Sequence, residues 1–479
     1  LQINDCLNYP YSEKDILTIK KLKASCLISL GETDEARNIL DELLLEGDEN
    51  FINDILIEKA VLEFECSKFK DAEYLIDSLL AKNLSGYNRA RLLNLKAIIY
   101  YSFYKNIDKA VLFFKNSMEL YKQQNELLKY VQIKQNIGTQ YFLQNNFDLA
   151  LAEWTEAYKI NNEIGNLDQD GLLNSNFGVF HRSKFEIDRS KKHFQNAESV
   201  FEITGNKKRL GIVKHNHLIL NIDICEYKSA LKQIEQCRNI FSSLNEKNEL
   251  AELYFTEIKL YSAIGLTKRL LFASEIYKEL ASAGNLPQYH ENNLALTGIL
   301  EDFYNEIKID KNKVLDLCKK YFSSDTVSEF IYILRFLYIN LKETDDMFFY
   351  ECTENPIVKE HCKVNFLDNI RINYIKSEIM SSKQNYSEAL SLLENGYQKL
   401  IENNINEFTW KYTHRLAEEY LRRGNKNQAY EYIKLTRSLI SHISEQFSEY
   451  DDKSAYLNEK ERASVSAQAK TWEKYFYGH

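Results

Sequence analysis

Residues 135–157 read QNIGTQYFLQNNFDLALAEWTEA. Ile137, Gly138 and Tyr141 share one face of a helix, LQNNFD turns the chain, and Ala150, Trp154 and Ala157 recur at i, i+4 and i+7. This spacing predicts two packed helices. Forty residues on, the chain reads SNFGVFHRSKFEIDRSKKHFQNA (175–197), and forty further HNHLILNIDICEYKSALKQIEQC (215–237). Self-similarity at a fixed period of this size marks a stack of helical pairs, each burying its apolar face on the next.

The small residue early in each second helix sets the register. Ala36, Ala72, Ala110, Ala150, Ser190 and Ala230 are spaced 36, 38, 40, 40 and 40, and Ala389 and Ala429 resume the series. Leu270 fits the step and Val314 is the next candidate anchor. An aromatic recurs at the turn (Phe69, Phe147, Tyr227, Tyr386), and Gly165-Asn166, Gly205-Asn206 and Gly284-Asn285 close second helices. Glycine there supplies the left-handed conformation that ends a helix.

With Gly138, Tyr141, Ala150, Trp154 and Ala157, the quoted stretch resembles the tetratricopeptide repeat family at all five of its signature positions. The next repeat matches with Gly178, Phe194 and Ala197 and departs at His181 and Ser190. The resemblance covers about 17–270 and 370–445. Residues 290–365 diverge, and Pro356 is expected to break a second helix there. The resemblance implies an all-α, right-handed α-solenoid of about ten or eleven helical pairs spanning 1–445. The long repeats are similar to those of kinesin light chains, peptide-pheromone receptors and bacterial signalling proteins. Residues 446–479 read either as capping helices or as the junction to an effector domain. The run Tyr456-Leu457-Asn458-Glu459-Lys460-Glu461-Arg462 resembles the segment that joins repeats to a caspase-like (CHAT) protease domain.

Composition agrees with an array rather than one core. The chain has 479 residues with 15 glycines and 3 prolines, which disfavours turn-rich β folds. A net charge of −9 with mixed signs argues against a direct nucleic-acid surface. No apolar stretch reaches the ~20 residues of a membrane span. The eight cysteines show no CxxC and sit mostly in apolar helical patterns, which points to reduced thiols in the cytoplasm. Because the first residue is Leu1, a segment of a longer or processed protein is expected.

No P-loop, GxSxG, HExxH or kinase signature occurs, so no enzyme, cofactor or metal is expected within these residues. Asn166-Leu167-Asp168-Gln169-Asp170-Gly171 begins like a calcium loop, but Phe177 stands where a bidentate Glu is required. It reads as a polar loop between repeats. His215 and His217, two apart on a helix, diverge too far to share a metal.

Asn136, Asn176 and Asn216 fall in step at the sixth repeat position. The resemblance implies that this position faces a concave groove lined by first helices, where asparagines grip a ligand's main chain. A carboxamide both donates and accepts, so it suits a peptide backbone. Helices ~10 Å apart would meet an extended chain about every third residue. The same face would carry Gln132, Gln135 and Thr139; Ser175 and Arg182; and His215 and Asp223, with Leu172, Val179 and Ile219 beside them. The opposing reading is that the asparagines bond between helices.

Three functions follow as expectations. The first is a peptide- or protein-binding scaffold, the sensor part of a bacterial signalling or defence protein, holding a partner or a segment of its own chain. The second is the regulatory region of an attached enzyme, the CHAT protease being one candidate. The third is plain architecture.

Overall fold

The residues that repeat in the sequence are the points where helices touch. In the computed structural model, which describes residues 12–30, 32–46, 48–282, 289–305, 307, 327–340, 346–403 and 405–477, the anchors Ala36, Ala72, Ala110, Ala150, Ser190, Ala230, Leu270, Ala389 and Ala429 are all wholly buried. Val314 and Gly284-Asn285 lie outside the described residues.

All regular structure among the described residues is helical. The helices are α1 (Glu13–Leu30), α2 (Thr33–Leu43), α3 (Glu49–Glu65), α4 (Phe69–Leu80), α5 (Gly86–Ser102), α6 (Ile107–Gln123), α7 (Leu127–Leu143) and α8 (Phe147–Ile164). Then come α9 (Leu167–Ser183), α10 (Ile187–Thr204), α11 (Lys207–Asp223), α12 (Tyr227–Ser243), α13 (Lys247–Ile264) and α14 (Thr267–Ser282). After these, α15 (Tyr289–Tyr304), α16 (Val327–Asn340), α17 (Asp346–Glu354) and α18 (Pro356–Val364) cover the divergent stretch. The chain closes with α19 (Phe366–Ser382), α20 (Tyr386–Glu402), α21 (Asn406–Arg422), α22 (Lys426–Ser444), α23 (Tyr450–Asn458) and α24 (Lys460–Tyr477). From α1 to α14 and from α19 to α22, odd helices pack on the even helix that follows, as tandem helical pairs similar to tetratricopeptide repeats.

Left-handed residues punctuate the middle of the chain every 20 positions: Lys105, Asn125, Asn145, Gly165, Phe185, Gly205, Cys225, Asn245 and Gly265. At seven of these nine helix ends a 6→1 hydrogen bond closes the turn, as in Asn146 N to the Tyr141 carbonyl at 2.8 Å and Glu226 N to the Asn221 carbonyl at 2.8 Å. First and second helices are therefore almost equal in length. Asn166 and Asn206 then cap the following helix, accepting from the amides of Gln169 and Arg209. Residues 167–171, expected as a loop, are thus the first turns of α9, because that cap starts the helix at once. The aromatics expected in the turns are the first residues of second helices.

Close approach explains the paired glycines. A Cβ on Gly138 would stand 2.6 Å from Trp154 Nε1, and one on Gly178 2.5 Å from the Phe194 ring. Trp154 itself is 2% exposed and donates through Nε1 to the Gln135 carbonyl at 3.0 Å. Ser190, the departure from the alanine pattern, fits because its hydroxyl donates to the Gly178 carbonyl at 2.8 Å. Pro356 occupies the first turn of α18, where its missing N–H costs nothing, so the expected second helix is split into α17 and α18. Cys225, Cys237, Cys352 and Cys362 are buried free thiols, Cys66 is half-buried and Cys26 is exposed.

The chain divides into two units, 1–173 and 174–479. In the first, the apolar core is parcelled into separate clusters, around Leu40, Ile76 and Phe114. In the second, one large cluster runs from Phe185 to Val465, with a small separate one around Ala417, Ile433 and Ala469.

Candidate ligand-binding face

In the first unit, Asn136 lies half-buried on α7, between Gln132, Gln135 and Thr139. Gln135 is tied inward, its side-chain oxygen accepting from Gln169 Nε2. Gln132 accepts from Lys129 at 3.3 Å, and Thr139 donates to the Gln135 carbonyl at 3.1 Å. Among the described residues, no side chain or backbone group bonds to the Asn136 carboxamide.

In the second unit, Asn176 on α9 and Asn216 on α11 are also half-buried and also lack a partner among the described residues. The Asn176 Nδ2 is fully shielded from solvent, and no acceptor meets it there. A buried donor left without an acceptor costs roughly 1–3 kcal/mol. Ser175 is buried beside it. The inter-helix bonds that an architectural ladder requires are absent among the described residues.

At the C-terminal ends of the same helices the face is charged and occupied. Arg182 Nε and Asp223 Oδ2 pair at 3.1 Å. Burial, and then Asp368, push the Asp223 carboxyl up against the opposing pull of Arg182, Arg371 and Lys259. His215 Nε2 meets Thr256 Oγ1 on α13 at 2.9 Å. That hydroxyl already donates to the Glu252 carbonyl at 3.0 Å, so Nε2 carries the proton and Nδ1 is left as an acceptor. Burial, then the charges of Lys259 and Arg182, hold His215 down to about 4, so it is neutral at pH 7. His217 turns the other way, to Glu198 at 2.7 Å, as its spacing requires.

The groups around Asp223 come from far along the chain. On α19, Asp368 accepts from Ser328 of α16 at 2.5 Å, from Arg371 at 2.6 Å and pairs with His361 of α18 at 2.9 Å. Burial alone would raise its carboxyl, but His361 and Arg371 hold it below the usual value. Lys259 pairs with Glu329 at 3.7 Å, and its carbonyl accepts from Tyr332 at 3.2 Å. Phe185 stacks on Phe366 with ring centroids 4.6 Å apart. Sequence reasoning missed Asp368, Arg371, Glu329 and Lys259. Their one signal was charge inside otherwise apolar helices, as in FLDNIRINYIKSEIM, where a helix buried on several sides keeps an ion pair at i, i+3.

Among the described residues, no group of three or more His, Cys, Asp or Glu is placed to hold a metal ion. Nor is any helix there long and apolar enough to cross a membrane.

The described helices form a tandem array of packed helical pairs, similar to tetratricopeptide repeats. No known protein family and no curated protein matches the chain. Among solved structures, a Rap protein complexed with competence and sporulation factor is similar at 12% identity over 90% of this chain and 99% of that one, with a TM-score of 0.49. A signal-transduction ATPase with a tetratricopeptide-repeat sensor, from Pyrococcus horikoshii, is similar at 16% identity over 69% of this chain and 50% of that one, TM-score 0.47. The Rap conjugation gene regulator of the plasmid pLS20, in complex with Phr* peptide, is similar at 14% identity over 78% of this chain and 97% of that one, TM-score 0.43.

Proposed function

We propose that this chain is a regulatory repeat scaffold that binds an extended peptide or protein segment, with Asn176 and Asn216 holding the segment's main chain. Asn136 offers the same group in the first unit. One observation carries the reading: three carboxamides in register, none with a partner among the described residues, one with its Nδ2 buried. A ligand carbonyl that drew the Asn176 carboxamide outward would satisfy the donor that is otherwise shielded and empty. At the charged end of the face, Arg182 and Asp223 pair with each other and Asp368 and Arg371 of the chain's own α19 stand near Asp223, which limits the length of foreign segment that fits there. Backbone recognition implies tolerance of ligand side chains, with selectivity coming from charge and shape near His215.

The test starts from peptides selected against the immobilised chain from a random library. Replacing Asn176 and Asn216 together by Ala removes two hydrogen bonds and is expected to weaken the selected peptide by about 1–3 kcal/mol, roughly 5- to 150-fold. The melting temperature should hold or rise slightly, since alanine is the better helix former and an unsatisfied donor is lost. A lower melting temperature with unchanged affinity would make the asparagines architecture.

A further inference from the structure

Two neighbouring turns of the second unit grip the far end of the chain. Gln446 reaches back 219 positions, accepting from the Tyr227 amide at 2.8 Å. Its Nε2 donates to the Cys225 carbonyl at 2.8 Å. Phe447 stacks on Tyr227 with centroids 6.0 Å apart. Forty residues on, at the α13–α14 turn, a Cβ on Gly265 would stand 2.9 Å from the Glu459 Cβ and 3.1 Å from the Ala455 carbonyl oxygen. Arg462 is 1% exposed; its Nη1 donates to the Ala263 carbonyl at 3.0 Å and pairs with Glu407 at 3.2 Å. Its Nε donates to the Tyr456 carbonyl at 2.5 Å, and its guanidinium lies 4.0 Å from the Tyr456 ring centroid. The Tyr456 hydroxyl donates to Glu407 at 2.8 Å. Arg269 and Asp452 pair at 3.0 Å outside them.

The first attachment is on the α11–α12 turn and the second on the α13–α14 turn. A segment fixed at both sets the separation of α11 from α13. Those helices carry Asn216, His215 and Asp223 on one side and Thr256 and Lys259 on the other, joined by the His215–Thr256 bond. Anything that enters between these side chains and respaces the helices strains the segment that spans their ends. The second attachment is ionic and buried. Such a joint adds little net stability compared with an apolar one, specifies one geometry, and fails sharply when a partner leaves.

We propose that residues 446–462 are a clasp across the 225 and 265 turns, and that its closure is coupled to the spacing of α11 and α13. The regulatory half of this inference rests on the ligand-binding reading of that face. The clasp is the means by which occupancy of the face reaches the C-terminal helices. The run that resembles a junction in the sequence, Tyr456 to Arg462, supplies its most deeply buried side chains, Tyr456 and Arg462.

Hydrogen exchange on the full chain tests the coupling without any ligand. Gln446→Ala removes two hydrogen bonds and no charge. Amides of α22–α24 near the clasp should then exchange roughly 10- to 100-fold faster. Amides of α11 and α13 should follow by a similar factor, while α9, α19 and α20 stay unchanged. Arg462→Met should give the same pattern more strongly; if it does not fold, Gln446→Ala alone decides. Faster exchange at 446–477 with α11 and α13 unaffected overturns the coupling. So does uniform acceleration through the whole second unit, which would mark the segment as mere ballast for stability, and so does no change anywhere. Because no peptide is used, failure here leaves the asparagine face standing, and loss of peptide binding leaves the clasp standing.

Discussion

The turns at Lys105 and Asn145 and those at Phe185 and Cys225 have the same left-handed backbone and the same 40-residue register, yet opposite surroundings. In the first unit the residues are exposed. In the second, Phe185 and Cys225 are 4% and 3% exposed, one stacked on Phe366, the other bracketed by Gln446. Left-handed backbone costs a residue with a side chain about 1–2 kcal/mol. Phe and Cys bear that cost because their turns are interfaces. One repeat thus serves two regimes. In the first unit each pair answers mainly to its neighbours, as a one-dimensional array does. In the second, contacts 199 and 219 positions apart tie early repeats to the last helices.

The largest effect that would break this comparison comes from burying a charge at equivalent anchors. Ala110→Asp and Ala230→Asp should each cost about 4 kcal/mol or more locally, since a carboxylate without a partner enters a closed core. Hydrogen exchange should show the first confined to α5–α8. The second should spread to the helices around Gln446. Equal spreading in both would erase the distinction between the units.

Acid should also separate them, because all nine histidines lie beyond residue 173. His215 is held down to about 4 by burial and nearby cations, and His193 likewise by burial, then His181 and Lys192. Both are depressed in the folded state, so the unfolded chain takes up protons first. Stability is therefore lost as pH falls from about 7 to about 4, and His215 alone accounts for as much as about 3 kcal/mol. Asp223, raised by burial, offsets part of this at the acid end. Thermal melts followed by exchange should place the acid-sensitive transition in the second unit; a first unit that weakens equally between pH 7 and 5 would contradict it.

The smallest effects sharpen the contrast at the turns. Lys105→Gly should relieve the left-handed strain and gain about 0.5–1 kcal/mol. Phe185→Gly relieves the same strain but loses a buried ring, a net cost of about 1–2 kcal/mol. Denaturant titration giving the same sign at both sites would mean that the second turn is no interface.

These contrasts also mark what sequence reveals. The anchors, the turn aromatics and the close glycines were legible because each is fixed by a neighbour at constant spacing, so selection for packing writes a period. Asn136, Asn176 and Asn216 stand out by the same spacing, though no neighbour fixes their carboxamides among the described residues. What Arg182 and Asp223 meet was not, for Asp368 and Arg371 stand at distances that no period encodes. The clasp was visible only as an odd run, YLNEKER, whose Arg462 had no local reason to be buried. Phe185 and Cys225 were the missed signal: two apolar residues where the matching turns carry Lys and Asn.

The reach of Gln446 back to Tyr227 has a consequence for synthesis on the ribosome. At about 5–20 residues per second, some 10–45 s separate the making of residue 227 from that of residue 446. Repeats of the first unit can settle as they emerge, each on the one before. Those of the second wait with Tyr227, Cys225 and the carbonyl of Ala263 uncovered until the last helices are translated. Nascent chains of this protein should therefore engage chaperones over that interval at the 225 and 265 turns, and a stall or truncation before residue 446 leaves an apolar ledge with nothing to close it.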